Sequence, residues 1–243
     1  MTATKTAGMG DHVYVGGYAL SQDVQQVGKI GGGPSPLVMT DITQSAFARA
    51  GGLRAGQIDL SCYLDVQSNQ AHAVLSPLPR TSTIVSYFHV PGTIGSAAAS
   101  LNALQIGYDP ARAADGMLTI GVNAMDTKYG LEWGESLTPG DRTDTSATNG
   151  ASFDGGAATT FGAQAYLHLT GFTGTNVTVT IQDSADNASF ASLMAFTAAT
   201  GRTFERIAVT GTVRRYVRAV TSGTFSSATF VVNFVRNQTA VTF

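Results

Sequence analysis

Four histidines, His12, His72, His89 and His168, are the side chains most able to move protons near neutral pH, and they are scattered over 243 residues. None has a second histidine or a cysteine at metal-ligand spacing. His89 and His168 fall in the alternating runs TIVSYFHV and QAYLHL, where a packed or edge histidine is the ordinary case. The one cysteine, Cys62, cannot close an internal disulfide and has no histidine marked as its base, so it reads as a small packing residue. The glycine-rich stretch Gly28-Lys29-Ile30-Gly31-Gly32-Gly33 lacks the Gly-Lys-Ser/Thr ending of a phosphate loop, and no Gly-x-Ser-x-Gly elbow occurs. These observations predict a chain that is not an enzyme, with no catalytic residue, metal site or cofactor.

Two clusters keep a functional and a structural reading side by side. The loop Asp183-Ser184-Ala185-Asp186-Asn187-Ala188-Ser189-Phe190 resembles an Asp-box turn, with Ala188 in place of its glycine. Asp and Ser side chains in such a turn bond the backbone, and two acids are too few for a calcium loop. In Arg214-Arg215-Tyr216-Val217-Arg218, strand geometry puts Arg214, Tyr216 and Arg218 on one face. Those three are the candidates for surface recognition of a sugar or an acidic partner. The alternative is that Val217 points inward while the arginine stems cover apolar surface.

The elements that must position these residues are strands. Period-two alternation and Gly/Pro/Asn punctuation mark strands over 11–20, 23–30, 58–64, 83–90, 100–108, 116–123 and 129–133. Further strands fall over 164–169, 176–182, 204–209, 215–220 and 229–235, while 190–196 reads as a strand or one helical turn. Residues 68–75 are the one helix candidate, cut off by Pro77 and Pro79. Residues 31–56 show no firm pattern and read as a long loop. This loop and residues 1–10 are expected to be mobile in the free monomer and ordered on assembly. The stretch GESLTPGDRTDTSATNGASFDGG, residues 134–156, is nearly free of large apolar side chains and reads as a linker. The expected organisation is all-β in two domains, 1–149 and 150–243. The first is a β-sandwich or barrel with one short helix, and the second a smaller sandwich of jelly-roll or immunoglobulin-like type.

Composition fits both an ordinary low-charge β-protein and one that ends up covered by neighbours. Charged residues make up 12% of the chain, about half the usual share, and a surface so poor in charge suits a protein covered by neighbours. The net charge is −2, and no basic patch argues for nucleic-acid binding. The charge is split: residues 1–150 carry 12 acids and 8 bases, residues 151–243 carry 4 acids and 6 bases. No stretch approaches 18 apolar residues, and residues 1–10 contain no apolar leader, so we expect a cytoplasmically made protein without a membrane span.

Several runs carry a resemblance to a known family. In residues 11–140 these are the strand and loop of 21–30, Thr40-Asp41-Ile42-Thr43, Gly51-Gly52-Leu53, 58–65, Gly116-Met117-Leu118-Thr119-Ile120 and Gly130-Leu131-Glu132-Trp133-Gly134. Their order resembles the major tail protein of long-tailed, non-contractile bacteriophages. Gln182-Asp183-Ser184-Ala185-Asp186 and Arg215-Tyr216-Val217-Arg218 look like the β-sandwich decoration domain often attached to such proteins. The resemblance implies a virion protein that forms stacked homohexameric rings, a tube through which double-stranded DNA passes at ejection. It implies self-association and contact with tape measure and tail terminator proteins, and no cofactor. Within that reading the ring domain's acids suit the lumen, and alternation and strand ends single out Asp59, Asp65 and Asp126 as lumen-facing candidates. The alternatives are a carbohydrate-binding host-recognition module, or a capsid decoration or minor tail protein. Against the sugar module, residues 151–243 contain no Trp and only Tyr166 and Tyr216.

Overall fold

The computed structural model describes residues 9–77 and 81–241; residues 1–8 and Pro79 therefore lie outside the described residues. The order is β1 (His12–Val15), β2 (Tyr18–Ala19), β3 (Val24–Val38), β4 (Arg49–Tyr63), α1 (Ala71–Leu75), β5 (Thr83–Phe88), β6 (Ala97–Arg112), β7 (Leu118–Asp126) and β8 (Glu132–Ser136). Then come β9 (Arg142–Asp144), β10 (Phe153–Asp154), β11 (Ala163–Ser184), β12 (Ala191–Ala195), β13 (Thr203–Val209) and β14 (Tyr216–Arg236). The all-β reading holds, and the short helix is where it was expected. The barrel alternative does not hold: one connected antiparallel sheet runs open from β12 through β11, β14, β8, β6, β5 and β1 to β2.

Alternation builds two cores. Val13 and Val15 of β1, Ile58, Leu60 and Cys62 of β4, Val85 and Tyr87 of β5, and Ile120 and Val122 of β7 bury one cluster. Helix α1 closes it with Ala71 and Leu75, its first amide donating to the buried Asp23 carboxylate at 2.6 Å. Cys62 is fully buried here, as a packing residue should be, and burial pushes its thiol up to about 12. The second cluster takes Ala165, Leu167 and Leu169 of β11, Val179 and Ile181 further along it, and Phe230, Val232 and Phe234 of β14.

In β1, β5, the start of β6 and the parts of β11 and β14 that face them, the intervening residues do not face water either. Tyr14, Phe88 and Ala98 from the first half pack on Val231 from the second. Ile84 packs on Tyr166 and Val235 in the same way. A polar chain runs through this middle layer, entirely buried. His168 Nε2 lies 2.8 Å from Ser86 Oγ, Ser86 Oγ lies 2.7 Å from Ser100 Oγ, and Asn233 Nδ2 donates to Ser100 Oγ at 2.8 Å. The central strands are thus buried on both faces, which explains near-continuous apolar runs such as residues 228–235.

Residues 134–156 are not a free linker. Strand β8 pairs with β6 on one side and β14 on the other, so it stitches the two halves into one sheet. Strands β9 and β10 both add to β14. Leu137 is buried in the second cluster, and its amide donates to the Val232 carbonyl at 2.9 Å. The buried Asp144 pairs with the half-buried Arg142 through two bonds, 2.8 and 2.7 Å, and Thr221 Oγ1 donates to Asp144 at 2.6 Å. A segment with few large side chains is ordered here by backbone bonds to a strand that is already held. The strands expected at 164–169 and 176–182 are one strand, β11, with register shifts near Gly171 and Gly174. Those at 215–220 and 229–235 are likewise one strand, β14.

The middle layer makes the halves depend on each other for burial. Each large side chain stripped of its partner, among them Tyr14, Ile84 and Phe88, forfeits about 1.5–3 kcal/mol of transfer free energy. Calorimetry of the full chain should therefore show one cooperative transition, and a fragment ending at residue 149 should aggregate. Two separated transitions, or a soluble fragment with native near-ultraviolet dichroism, would show that the halves fold alone.

Candidate assembly surface

The region that looked patternless is a β-hairpin. Strands β3 and β4 pair from Val24↔Cys62 out to Val38↔Arg49. Strand β7 supports β4 only between Gln57 and Tyr63, so the outer part has no other partner strand among the described residues. The hairpin is braced where it leaves the sheet. Asp126 accepts the Gly56 amide and, at 3.1 Å, the Gly130 amide. Segment 130–131 then passes so close to Gly56 that a side chain there would strike the Leu131 backbone, which is why this strand position is glycine.

The tip is ordered by its own polar groups. Met39 N–H donates to the Ala48 carbonyl at 2.9 Å, Ala48 N–H donates to Thr40 Oγ1 at 3.0 Å, and Asp41 accepts the Thr43 amide at 2.8 Å. The Thr43 hydroxyl, and then the Thr43 amide, donate to the Asp41 carboxylate and hold its pKa below the ordinary value. What the tip presents is apolar. Ile42 is 103% exposed, Leu53 88%, Phe47 70% and Met39 66%, and the Arg49 guanidinium lies 4.9 Å from the Phe47 ring centre. Side chains of this size left in water together make the tip a candidate contact surface. The outer edge of β3 also has no strand partner among the described residues, and Pro34 and Pro36 lie along it. Proline is tolerated at an edge and blunts indiscriminate pairing there.

The three lumen-facing candidates occupy different settings. Asp59 lies on the face of β4 opposite the buried Ile58 and Leu60, accepting Gln57 Nε2 at 2.7 Å and Asn123 Nδ2 at 2.6 Å. Lys29 Nζ extends the same ladder to Gln57 at 3.0 Å, so this face of β3, β4 and β7 is polar and sparsely charged. Asp126 braces the hairpin root. Asp65 shapes the turn into α1, its carboxylate accepting the Gln67 amide and its carbonyl the His72 amide. Asp59 and Asp126 share one sheet region, and Asp65 stands apart from it.

The arginine cluster divides in the same way. Arg214 is engaged by the buried Asp183 at 2.8–3.0 Å. Arg215 pairs with Asp154 through two bonds of 2.7 Å, which holds that carboxyl down to about 2, and its guanidinium lies 4.9 Å from the Tyr216 ring centre. Arg218 meets the side-chain oxygen of Gln182, a neutral partner, at 2.8 and 3.0 Å, and stacks 3.9 Å over the Phe190 ring. Val217 is fully buried, as the structural reading required. In the Asp-box-like loop, Asp186 accepts the Ala188 and Ser189 amides and the Ser184 hydroxyl, which is the expected side-chain-stabilised turn.

No family model and no curated protein matches this chain. Among solved structures, the SPP1 Dit (gp 19.1) protein, titled a paradigm of the hub adsorption apparatus in phages that infect Gram-positive bacteria, aligns with a TM-score of 0.36 and 12% identity. The alignment covers 93% of this chain and 99% of that one. So loose an overlap carries no argument about function.

The pair Ser86–His168 was invisible in the sequence, 82 positions apart, and has the spacing of a nucleophile and its base. Its chemistry runs the other way. Gly17 N–H donates to His168 Nδ1 at 3.2 Å, so Nδ1 is the acceptor and Nε2 carries the hydrogen toward Ser86. The ring is a donor to the serine, in a place without solvent access. Burial lowers the His168 pKa from 6.5 to about 3. Between those values the unfolded chain binds a proton that the folded chain refuses, so stability falls as pH drops from 6.5 toward 3, by up to about 1.4 kcal/mol per pH unit. In urea titrations across that range, His168→Gln should lose this one-proton slope while being less stable at pH 7. An unchanged slope in the variant would show that other groups set the acid limit.

Proposed function

We propose that this chain is a structural subunit of a bacteriophage tail, assembling into stacked homohexameric rings whose bore conducts DNA. The observation that carries the reading is the braced hairpin, with Met39, Ile42, Phe47 and Leu53 in solvent. A monomer gains nothing from a tip of this kind, whereas a ring closes it against the next copy. Edge strands, a hazard in a free protein, become joints under closed rotational symmetry. The low charge content and the runs that resemble those of major tail proteins support the same reading.

In this assembly the first unit, residues 1 to about 149, forms the ring, and the second, to residue 243, lies outside. The sparsely charged face holding Asp59, Gln57 and Asn123 suits the lumen. A basic wall would release counterions and hold each phosphate, while a neutral or acidic one lets the duplex slide. Tape measure and tail terminator proteins would be the other partners, and the virion the location.

Electron microscopy of the purified protein should show six-fold rings or tubes. Ile42→Asp with Phe47→Asp should leave the monomer's thermal midpoint within a few degrees, because both side chains are already solvated, and should abolish assembly. Rings formed normally by this double variant would remove the hairpin from the interface. Persistent monomers of the unaltered chain at all concentrations would sink the ring itself.

A further inference from the structure

A recess of about 350 Å³ opens on the second half, lined by Gly150, Ala151, Ser152, Asn187, Phe190 and Arg218. Its walls are fixed. Gly150 donates its amide to the Ala219 carbonyl at 2.9 Å, and a side chain at this position would lie 2.5 Å from that oxygen, so only glycine lets this segment sit against β14. The opposite wall is the turn held by Asp186, with Asn187 in the left-handed region at φ 59°. Ser152 donates its hydroxyl to Asn187 Oδ1 at 2.6 Å, which ties the walls together and turns the Asn187 amide nitrogen to the donor role.

The donors outnumber their acceptors. Gln182 takes Nε and one Nη2 hydrogen of Arg218, and no acceptor meets Nη1 or Asn187 Nδ2 among the described residues. Arg214 and Arg215 have acid partners, and Arg218 has none, so its charge is uncompensated. No acid lines the recess: Asp183 is engaged by Arg214, and Asp186 by its own turn. Stacking on Phe190 and bonding to Gln182 fix the guanidinium plane in advance, which lowers the entropy lost on binding.

We propose that this recess binds an anionic saccharide, a sugar carrying a carboxylate or a phosphate. The guanidinium takes the oxyanion through charge-assisted bonds, the Asn187 amide and Ser152 oxygen meet ring hydroxyls, and the half-buried Phe190 packs on the sugar carbons. The proposal does not depend on ring assembly, since every group lies within one chain.

The test is amide chemical-shift titration of the full chain with glucuronate, glucose 6-phosphate, glucose and inorganic phosphate. Saturable shifts at residues 150–152, 187–190 and 218, with glucuronate or glucose 6-phosphate at millimolar concentration, are expected, and the stronger of the two identifies the oxyanion. Glucose and inorganic phosphate alone should bind at least about tenfold more weakly, each lacking half of the contacts. Arg218→Gln should weaken binding by about tenfold or more. Asn187→Gly keeps the left-handed backbone, removes the amide donor and should weaken binding less, which guards against a folding defect in the first variant. No saturable shift, equal binding of glucose or of phosphate alone, or unchanged affinity in Arg218→Gln overturns the proposal.

Discussion

The structure depends on a layer that belongs to neither core. Strands β1, β5 and β6 turn alternate side chains toward the first cluster, and the residues between them meet the alternate side chains of β11 and β14. A strand buried on both faces carries unpaired polar groups only at a cost, and this layer holds a histidine, two serines and an asparagine, whose Oδ1 alone among the four side chains is left unmet. It tolerates them because each bonds the next, from Gly17 through His168, Ser86 and Ser100 to Asn233. Such a chain favours one alignment of the halves. A slip by one residue would bring apolar side chains opposite polar ones and leave several donors unmade, at about 1–3 kcal/mol apiece.

A second tie lies at the rim of the same layer. Glu132, on the stitching strand β8, accepts the Tyr166 hydroxyl from β11, and Arg206 from β13 forms an ion pair with it at 2.9 Å. Arg206 also lies 3.7 Å over the Tyr129 ring. Burial and the neighbouring carboxylate hold the Tyr166 hydroxyl well above its ordinary value, so it stays protonated and donating. The second half is therefore fixed to the first through its centre and through its edge, so the two move together rather than on a tether.

How much of this could be read in the sequence follows from what alternation records. Period two appears where one face of a strand is buried and the other is not, so β4 between Ile58 and Cys62 and the far part of β11 were legible. The middle-layer strands were seen as strands, but their second buried face was not, because His168 and Ser86 look like ordinary outward polar residues. The stretch 134–156 was misread because composition reports whether a segment can build a core of its own. It does not report whether a strand such as β14 is waiting to bond it. Of the recognition trio Arg214, Tyr216 and Arg218, the shared face was legible and the partners were not. Asp183 and Asp154 come from distant segments, and they separate a neutralised pair of arginines from the charged one.

The hairpin carries the same logic to its limit. A strand whose two faces both meet water has no reason to alternate, and residues 31–56 show no period for that reason. Disorder would leave the same trace in composition, with glycine, proline and scattered large apolar residues. The difference lies in what holds the segment. Here the Asp126 brace, the close approach of Gly56 to residues 130–131 and the capped turn at Asp41 all serve to keep an apolar tip at a set distance from the body. Fixing a backbone costs about 1–2 kcal/mol per residue, and no burial within the chain offsets that cost at the tip. An element ordered at such expense, with its apolar side chains turned outward, fits the contact with another chain proposed for it.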